Sequence, residues 1–497
     1  MPETSVLHPP ETCWRIEQAD DFSIVIDADL YFATARAAMK QAKRCIYLIG
    51  WDFDARIVLG RPDLKDEAPA RIGDFLLWLA KQNPDLEIRL LLWNPVFFAT
   101  WTKGWNAYYL MRWKLHPQIT VLLDGQHPLG SSHHQKILVI DDSVAFCGGI
   151  DVTNDRWDTR EHLDQDPLRR RPGGAAYGPW HDISSVCTGP AAQALGDLCR
   201  VRWQQAGGPV LPPVETRTDI RLPDGAFSFG KVALAIARSS PPFKDRSAVT
   251  EIEKLYIAMI EAANHVIYAE SQYFASRAVA QVLAKRLTEK DGPEIVLINP
   301  FKADNWLGSV AMDTARARLY ESLRRQDLYG RFRIYHPVTS GGTPIYVHSK
   351  LMIIDDKLMR VGSSNFNNRS MRYDNECDVA FDAAQDETGA LSGRLADLRD
   401  DLLAEHLGVT PEAINDAVQA TGSLITAIEN LRDDRTIGAA GLTVTLVPYE
   451  TPRVNDLEKW LADNEILDPE GPGAVLEPIE KRGLFRGRLQ RPGRRKA

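Results

Sequence analysis

Two segments of this 497-residue chain carry the same pair of reactive side chains. His134 and Lys136 stand two residues apart at the start of an apolar run, and so do His348 and Lys350. Residues i and i+2 of an extended strand project to one face, so each segment presents an imidazole beside an ammonium. One imidazole can act as nucleophile while a second protonates a leaving group. Two ammonium groups can neutralise charge on a phosphoryl centre, a task other enzymes give to metal ions. Each segment supplies half of this set, and a site between two copies would complete it.

The surroundings repeat with the pairs. HHQKILVIDDSVAFCGGID (133–151) matches VHSKLMIIDDKLMRVGSSN (347–365). In both, a run that is apolar on both faces, as in a buried strand, ends at a paired-aspartate turn, Asp141-Asp142 or Asp355-Asp356. Asp141 and Asp355 read as structural, holding backbone N–H groups there. A second strand then returns to Gly148-Gly149-Ile150-Asp151 or Gly362-Ser363-Ser364-Asn365. Small residues at this place predict close approach of backbone to a ligand, which makes Gly149 and Ser363 candidate substrate contacts. One H-x-K-x(4)-D is a weak signal, whereas two in matching contexts are a strong one.

The elements that must position these residues are duplicated too. KRCIYLIGWDFD (43–54) parallels NHVIYAESQYF (264–274), and EIRLLLWNP (87–95) parallels EIVLINP (294–300). The offset between copies stays between roughly 205 and 221 residues, a duplicated domain rather than a short-period solenoid. Segments 31–43, 72–83, 251–264 and 313–326 carry apolar residues at helical spacing. Strands alternating with helices predict an α/β fold with helices covering a sheet. The Pro/Gly-rich stretch 207–225 reads as the linker, giving a first domain over 1–210 and a second over 211–410. Residues 411–497 read as a small C-terminal extension with a helix or helix pair over 411–432, a strand over 441–450 and a basic tail over 481–497. That tail reads as a solvated segment or as a contact with anionic lipid helped by Leu484, Phe485 and Leu489.

Composition narrows the class. The chain is 44% hydrophobic and 25% charged, which excludes collagenous, mainly disordered and disulfide-scaffold proteins. A net charge of −8 counts against a nucleic-acid partner. Six singly scattered cysteines form no C-x-x-C pair, so no zinc site is expected, and a reducing compartment is favoured. The N-terminus lacks the pattern of a secretory signal, and no apolar stretch is long enough to span a membrane.

His134-Gln-Lys136-(x4)-Asp141 and His348-Ser-Lys350-(x4)-Asp355 resemble the paired HKD motifs of the phospholipase D superfamily. GGIDVTNDRWDTREH (148–162), PWHDI (179–183), ESQYF (270–274), GSSNFNNRSM (362–371) and EHLG (405–408) extend the resemblance over roughly residues 20–410. It implies two tandem α/β/α domains related by a pseudo-twofold axis, with the site between them. It also implies that His134 attacks phosphorus to form a phosphohistidine, and that His348 protonates the leaving alcohol and then activates water. Lys136, Lys350 and Asn365 would hold phosphate oxygens. Glu376 and Asp182 would orient the two histidines, with Asp166 the rival to Asp182. Asp151 stands where the second copy has Asn365 and is assigned structural or substrate-orienting work.

The function so implied is hydrolysis of glycerophospholipids to phosphatidic acid and a headgroup alcohol, with transphosphatidylation when a primary alcohol replaces water. A cardiolipin synthase-type phosphatidyltransferase and a nuclease are the alternatives. The expected partner is a phospholipid at a membrane surface, and one chain holds both motifs, so a monomer suffices. No cofactor is expected, with a calcium requirement left open. Without a signal the default location is cytoplasmic with peripheral membrane contact, and signal-independent secretion fits equally. Arg169, Arg170 and Arg171 read as anion contacts or a solvated loop. Trp51, Phe53, Tyr273 and Phe274 read as pocket wall or core.

Overall fold

The computed structural model describes residues 5–60, 67–94, 104–215, 218–303, 312–436, 445–452, 456–465, 468–469 and 483–484. Its strands in chain order are β1 (Arg15–Ile26), β2 (Cys45–Gly50), β3 (Glu87–Trp93), β4 (Ile119–Asp124), β5 (Ile137–Ile140), β6 (Val144–Gly148), β7 (Trp180–His181), β8 (Ile183–Thr188) and β9 (Phe227–Ser240). They continue as β10 (Val249–Thr250), β11 (Val266–Ser271), β12 (Glu294–Ile298), β13 (Phe332–Val338), β14 (Tyr346–Val347), β15 (Lys350–Ile354), β16 (Leu358–Gly362), β17 (Glu376–Asp382) and β18 (Thr445–Pro448).

One sheet runs through the molecule in the order β18-β13-β12-β11-β15-β16-β17-β9-β1-β8-β6-β5-β2-β3-β4. Apart from β18 the order is mirror-related about the β1–β9 pair. β8 answers β17, β6 answers β16, β5 answers β15, and the parallel trio β2-β3-β4 answers β11-β12-β13. β1 and β9 join the halves antiparallel from Arg15↔Ile236 to Ile24↔Phe227, with register shifts between Ala19 and Ser23. The two copies therefore form one continuous sheet rather than two separate ones.

Helices cover both faces. Ala28–Met39 and Ile72–Gln82 bury apolar stripes on the first half, with Trp113 of Gly104–Lys114 in the same core. Glu251–Ala262, Arg277–Leu287 and Thr314–Gln326 do the same on the second half. A third core on the opposite face spans both halves under Pro190–Gln205 and Ala390–Leu407. Pro411–Thr421 and Leu424–Thr436 are a helix pair, and Ile414, Leu424, Ile425 and Ile428 join that shared core. The extension thus completes the second half's helical layer, and β18 adds an antiparallel edge to β13. The linker segment has no helix or strand among its described residues. Of the basic tail only Gly483 and Leu484 are described; Leu484 is buried in the second-half core, which corrects its reading as a lipid contact.

Both aspartate turns have two consecutive residues in the left-handed region, φ 52° and 50° at Asp141-Asp142 and 52° and 53° at Asp355-Asp356. Aspartate tolerates this region better than most residues. The first aspartate of each turn reaches across to the start of the neighbouring strand. Asp141 accepts from the N–H groups of Lys43, Arg44 and Cys45 at 2.7–2.8 Å. Asp355 accepts from Asn264, His265 and Val266 at 2.6–2.8 Å. These bonds tie the hairpin behind each His/Lys pair to the parallel strand beside it.

Candidate active site

The His/Lys pairs stand at the starts of β5 and β15, beside the C-terminal ends of β2 and β11, where Ser271 pairs with Lys350. Such ends are the usual ligand crevice of α/β sheets. The backbone of each motif is stitched to the opposite half. The His134 N–H donates to the Asn375 carbonyl at 2.8 Å, and the His348 N–H donates to the His181 carbonyl at 2.7 Å. The next residue in each acceptor strand supplies a carboxylate. His134 Nδ1 lies 3.0 Å from both Glu376 oxygens, and His348 Nδ1 lies 2.6 Å from Asp182 Oδ2. Each histidine is thus held by the other half's carboxylate. A carboxylate on Nδ1 fixes the proton there and leaves Nε2 free to react.

Burial, and then the ammonium groups of Lys136 and Lys350, hold His134 well below the usual imidazole range. Burial, Lys350, Arg156 and Lys136 do the same to His348. Lys350 is fully buried, and burial brings its ammonium down to about 7. Lys136 donates to the His134 carbonyl at 2.7 Å, and Lys350 donates to the His348 carbonyl. The site is a buried cluster of two imidazoles and two lysine amines that favours negative charge.

The halves differ in how the carboxylates are braced. Glu376 accepts from the hydroxyls of Ser363 and Ser370, and burial pushes it up to about 7 against Lys136, those hydroxyls and Lys350. Ser363 therefore braces Glu376, a correction to its reading as a substrate contact. Gly149 occupies the matching place. A Cβ there would lie 2.2 Å from Asp182 Oδ1, so this glycine makes room for the carboxylate rather than for a ligand. Asp151 lies 3.1 Å from Lys136 Nζ and accepts the Trp51 N–H. It positions the lysine; its counterpart Asn365 instead donates to Gln272 Oε1 at 3.3 Å. The carboxylate on His348 is Asp182 and not Asp166, whose side chain accepts the Leu168 N–H in an exposed turn.

Other readings separate as well. Trp51 meets His134 edge-on at 5.8 Å and stacks on Trp93, so it walls the site, whereas Phe53 and Phe274 are core. Arg169 is buried on Asp158, and Arg171 pairs with Asp155.

One part of the site has no counterpart in the sequence reading. Behind Asp182 lie Asp27, His162, His181, Glu270 and His406, all buried, and Glu405, half-buried with its side chain 1% exposed. Asp27 clamps Asp182 in both directions: its N–H donates to the Asp182 carbonyl at 2.8 Å, and its carboxylate accepts the Asp182 N–H at 3.1 Å. It does so at φ 62°, a backbone conformation that L side chains rarely adopt and that recurs at functional sites. His181 bridges Asp27 and Glu405 to Glu270, and Glu270 accepts the hydroxyl of Ser349, between His348 and Lys350. Donor atoms here approach closely enough for a cation. Against burial, however, the surrounding carboxylates raise His162 to about 10 and His181 well above its ordinary range. Protonated imidazoles, with Arg160 on Glu405, supply the positive charge. The signal in the sequence was the histidine in PWHDI and the acids in ESQYF and EHLG, legible only once folded together.

Several known proteins are similar to this chain. The family model for phospholipase D matches residues 334–432, which hold the second His/Lys pair and Glu376. Phospholipase D A of Dictyostelium discoideum is 26% identical over 474 residues, covering 80% of this chain and 36% of the relative. Phospholipase D2 of Bos taurus is 24% identical, covering 73% and 49%. The chain spans about a third to a half of the length of the first curated relatives it matches. Among solved structures, a phosphatidylserine synthase of Haemophilus influenzae aligns with TM-score 0.48 at 14% identity, over 76% of this chain and 86% of that one. In its paired motifs and in these matches the chain is similar to members of the phospholipase D superfamily.

Proposed function

We propose that this chain is a phospholipase D-type phosphodiesterase that releases a headgroup alcohol and phosphatidic acid from glycerophospholipids. The crossed histidine–carboxylate pairs carry the reading. His134 Nε2 attacks phosphorus while the P–O bond to the headgroup breaks. His348 gives its Nε2 proton to the departing oxygen and becomes neutral. It then takes a proton from water, whose oxygen displaces His134 from phosphorus, and both histidines return to their starting states. Lys136, Lys350 and Asn365 hold the non-bridging oxygens. The nucleophile is assigned to His134 because its side chain is 15% exposed against 5% for His348, and the attacking atom must meet the substrate. Burial and the ammonium groups hold both imidazoles below their usual range. An entering phosphodiester anion offsets the ammonium groups and lets one of them, His348, carry the proton the mechanism needs.

A membrane surface as the source of substrate is supported by Tyr108, Met111 and Leu115. They stand 46%, 59% and 79% exposed along and just beyond the helix Gly104–Lys114, which also carries Arg112 and Lys114. No helix among the described residues is long and apolar enough to cross a membrane. The test is mass-spectrometric product analysis with mixed phospholipid vesicles, with and without a primary alcohol, beside His134→Ala and His348→Ala. Phosphatidic acid that is diverted to a phosphatidyl-alcohol and lost in both variants supports the reading. Cardiolipin formed from phosphatidylglycerol moves it to a synthase. Cleavage of single-stranded nucleic acid without lipid turnover moves it to a nuclease.

A further inference from the structure

The C-terminal extension reaches the supports of the candidate site. Its short helix Asp456–Asp463 is tied to the second half by Asp463, whose carboxylate accepts a two-pronged pair from Arg318 at 2.8 and 2.9 Å. Glu465 follows that helix in the left-handed region, at φ 53°, and its carboxylate accepts from the Asn368 side-chain amide at 3.1 Å. Asp468 meets the start of a wide helical turn, Arg369–Tyr373. One carboxylate oxygen of Asp468 accepts the Asn368 N–H at 3.0 Å, and the other accepts the Arg369 N–H at 2.9 Å. The Asp468 carbonyl also accepts from the Asn368 side-chain amide, at 3.1 Å. Asp468 is 5% exposed, so these bonds form away from water. The opening N–H groups of a helical turn have no partner within it, and a carboxylate is a strong cap for them.

The turn that Asp468 caps carries the supports of His134. Ser370 Oγ donates to Glu376 Oε1 at 2.7 Å and accepts the Asn365 N–H at 3.1 Å. Glu376 is the carboxylate on His134. Arg369 pairs in two prongs with Asp374 at 2.8 and 3.0 Å, and Asp374 accepts the Ser132 N–H at 2.7 Å, two residues before His134. The Tyr373 carbonyl accepts the Ser131 hydroxyl at 2.5 Å. These bonds converge on the Glu376–His134 pair. The Asp182–His348 pair is clamped from elsewhere, by Asp27 of the first half. Each carboxylate therefore has a clamp behind it, and that of Glu376 begins in a segment outside the sequence repeat.

We propose that Asp468 is a positioning residue for His134, the nucleophile. By fixing the start of the 369–373 turn it sets Ser370 on Glu376 and Asp374 on the approach to His134. The extension thus controls one histidine and leaves the other to Asp27. The inference rests on the phosphodiesterase reading above. Misplacing a reacting group by about 1 Å from a remote site costs about 100-fold in rate, so a cap this far from phosphorus can still set turnover.

The experiment compares the full chain with Asp468→Ala, Asp468→Asn and Asp463→Asn. Rapid-quench measurement on mixed phospholipid vesicles reads formation and breakdown of labelled phosphohistidine. NMR spectra of ring-labelled histidine read the two imidazoles directly, assigned by loss of signal in His134→Gln and His348→Gln. Asp468→Ala should slow formation about 10- to 100-fold, with breakdown and KM close to wild type. Asp468→Asn keeps one accepting oxygen and should fall between. Asp468→Ala should add little to Ser370→Ala, because both act through Glu376. Asp463→Asn loosens the anchoring helix without touching the cap, so it should lower the unfolding temperature and keep the ratio of formation to breakdown. The His134 ring signal should shift in Asp468→Ala while the His348 signal stays. Equal slowing of both steps, or a ratio changed as much by Asp463→Asn as by Asp468→Ala, means that the extension only supports the fold and overturns the proposal. An unmoved His134 signal overturns it too. If wild type turns over no phospholipid and the His134 signal still moves alone, the coupling stands and the phosphodiesterase reading fails.

Discussion

Replacing Glu376 by glutamine tests the crossed pairing most directly, because it changes charge with almost no change of shape. Both carboxylate oxygens lie 3.0 Å from His134 Nδ1, so the amide oxygen can still accept that N–H and keep the tautomer. What is lost is the negative charge facing a ring that becomes cationic as Nε2 bonds to phosphorus. Unit charges at about 4 Å and an effective dielectric of about 20 interact by about 4 kcal/mol. At 1.36 kcal/mol per decade this is about a thousandfold in the rate of phosphohistidine formation. Stability moves the other way. Burial raises Glu376 to about 7 from an unfolded value near 4.5, so the folded state binds the extra proton between those values. The wild type loses stability as pH rises through that window, by about 3 kcal/mol in all, and the glutamine variant does not. Rapid-quench measurement of labelled phosphohistidine, with thermal unfolding at pH 4.5 and 8, reads both effects. A double-mutant cycle adds the pairing: Glu376→Gln should have no further effect on His134→Ala and its full effect beside Asp182→Asn. Slowed breakdown with normal formation of the intermediate would place Glu376 behind the other histidine and refute the crossed arrangement.

Gly149→Ala places a Cβ 2.2 Å from Asp182 Oδ1 and so pushes the carboxylate off His348; turnover should fall by about 100-fold while circular dichroism stays unchanged. The pH profile of kcat/KM should be a narrow bell centred near 7. Its alkaline limb falls as Lys350 loses its proton above about 7, and its acid limb follows the ionisation of Glu376; a flat profile from pH 7 to 9 would contradict the first assignment. His162 is raised to about 10 in the fold, so the stability it contributes is complete below its unfolded value near 6.5 and disappears as pH climbs toward 10. His162→Gln should cost about 1.5–3 kcal/mol at neutral pH by removing charged hydrogen bonds to Asp158 and Glu405, which keep Arg169 and Arg160 as partners, and should flatten the alkaline loss seen by chemical denaturation.

Much of this protein was legible in local pattern. The i, i+2 spacing of His134 with Lys136 and of His348 with Lys350 is a property of any strand, and the apolar runs behind them mark burial on both faces. Helices over 72–83 and 313–326 were predicted within a residue or two of Ile72–Gln82 and Thr314–Gln326, because their stripes are strong. The family resemblance named Glu376 and Asp182 as the orienting carboxylates without saying which histidine each would serve. β1 and β9 were not singled out, although they join the halves. β1 opens with RIEQADD, a polar run whose strand character comes from its two antiparallel neighbours rather than from its own composition.

Folding decided the rest. The partner of His134 is 242 residues away and that of His348 is 166, and neither distance leaves a local trace. They meet because two half-sheets dock antiparallel through β1 and β9, which brings the start of each motif strand against the carboxylate strand of the other half. The same docking collects Asp27, His181, Glu270 and Glu405 into one buried network. It also turned two small residues that looked like openings for a ligand into supports, Gly149 by making room for Asp182 and Ser363 by bracing Glu376. Side-chain type and spacing along a strand follow from the chain itself, whereas charge pairing inside a low-dielectric interface exists only once the two surfaces exclude water from it.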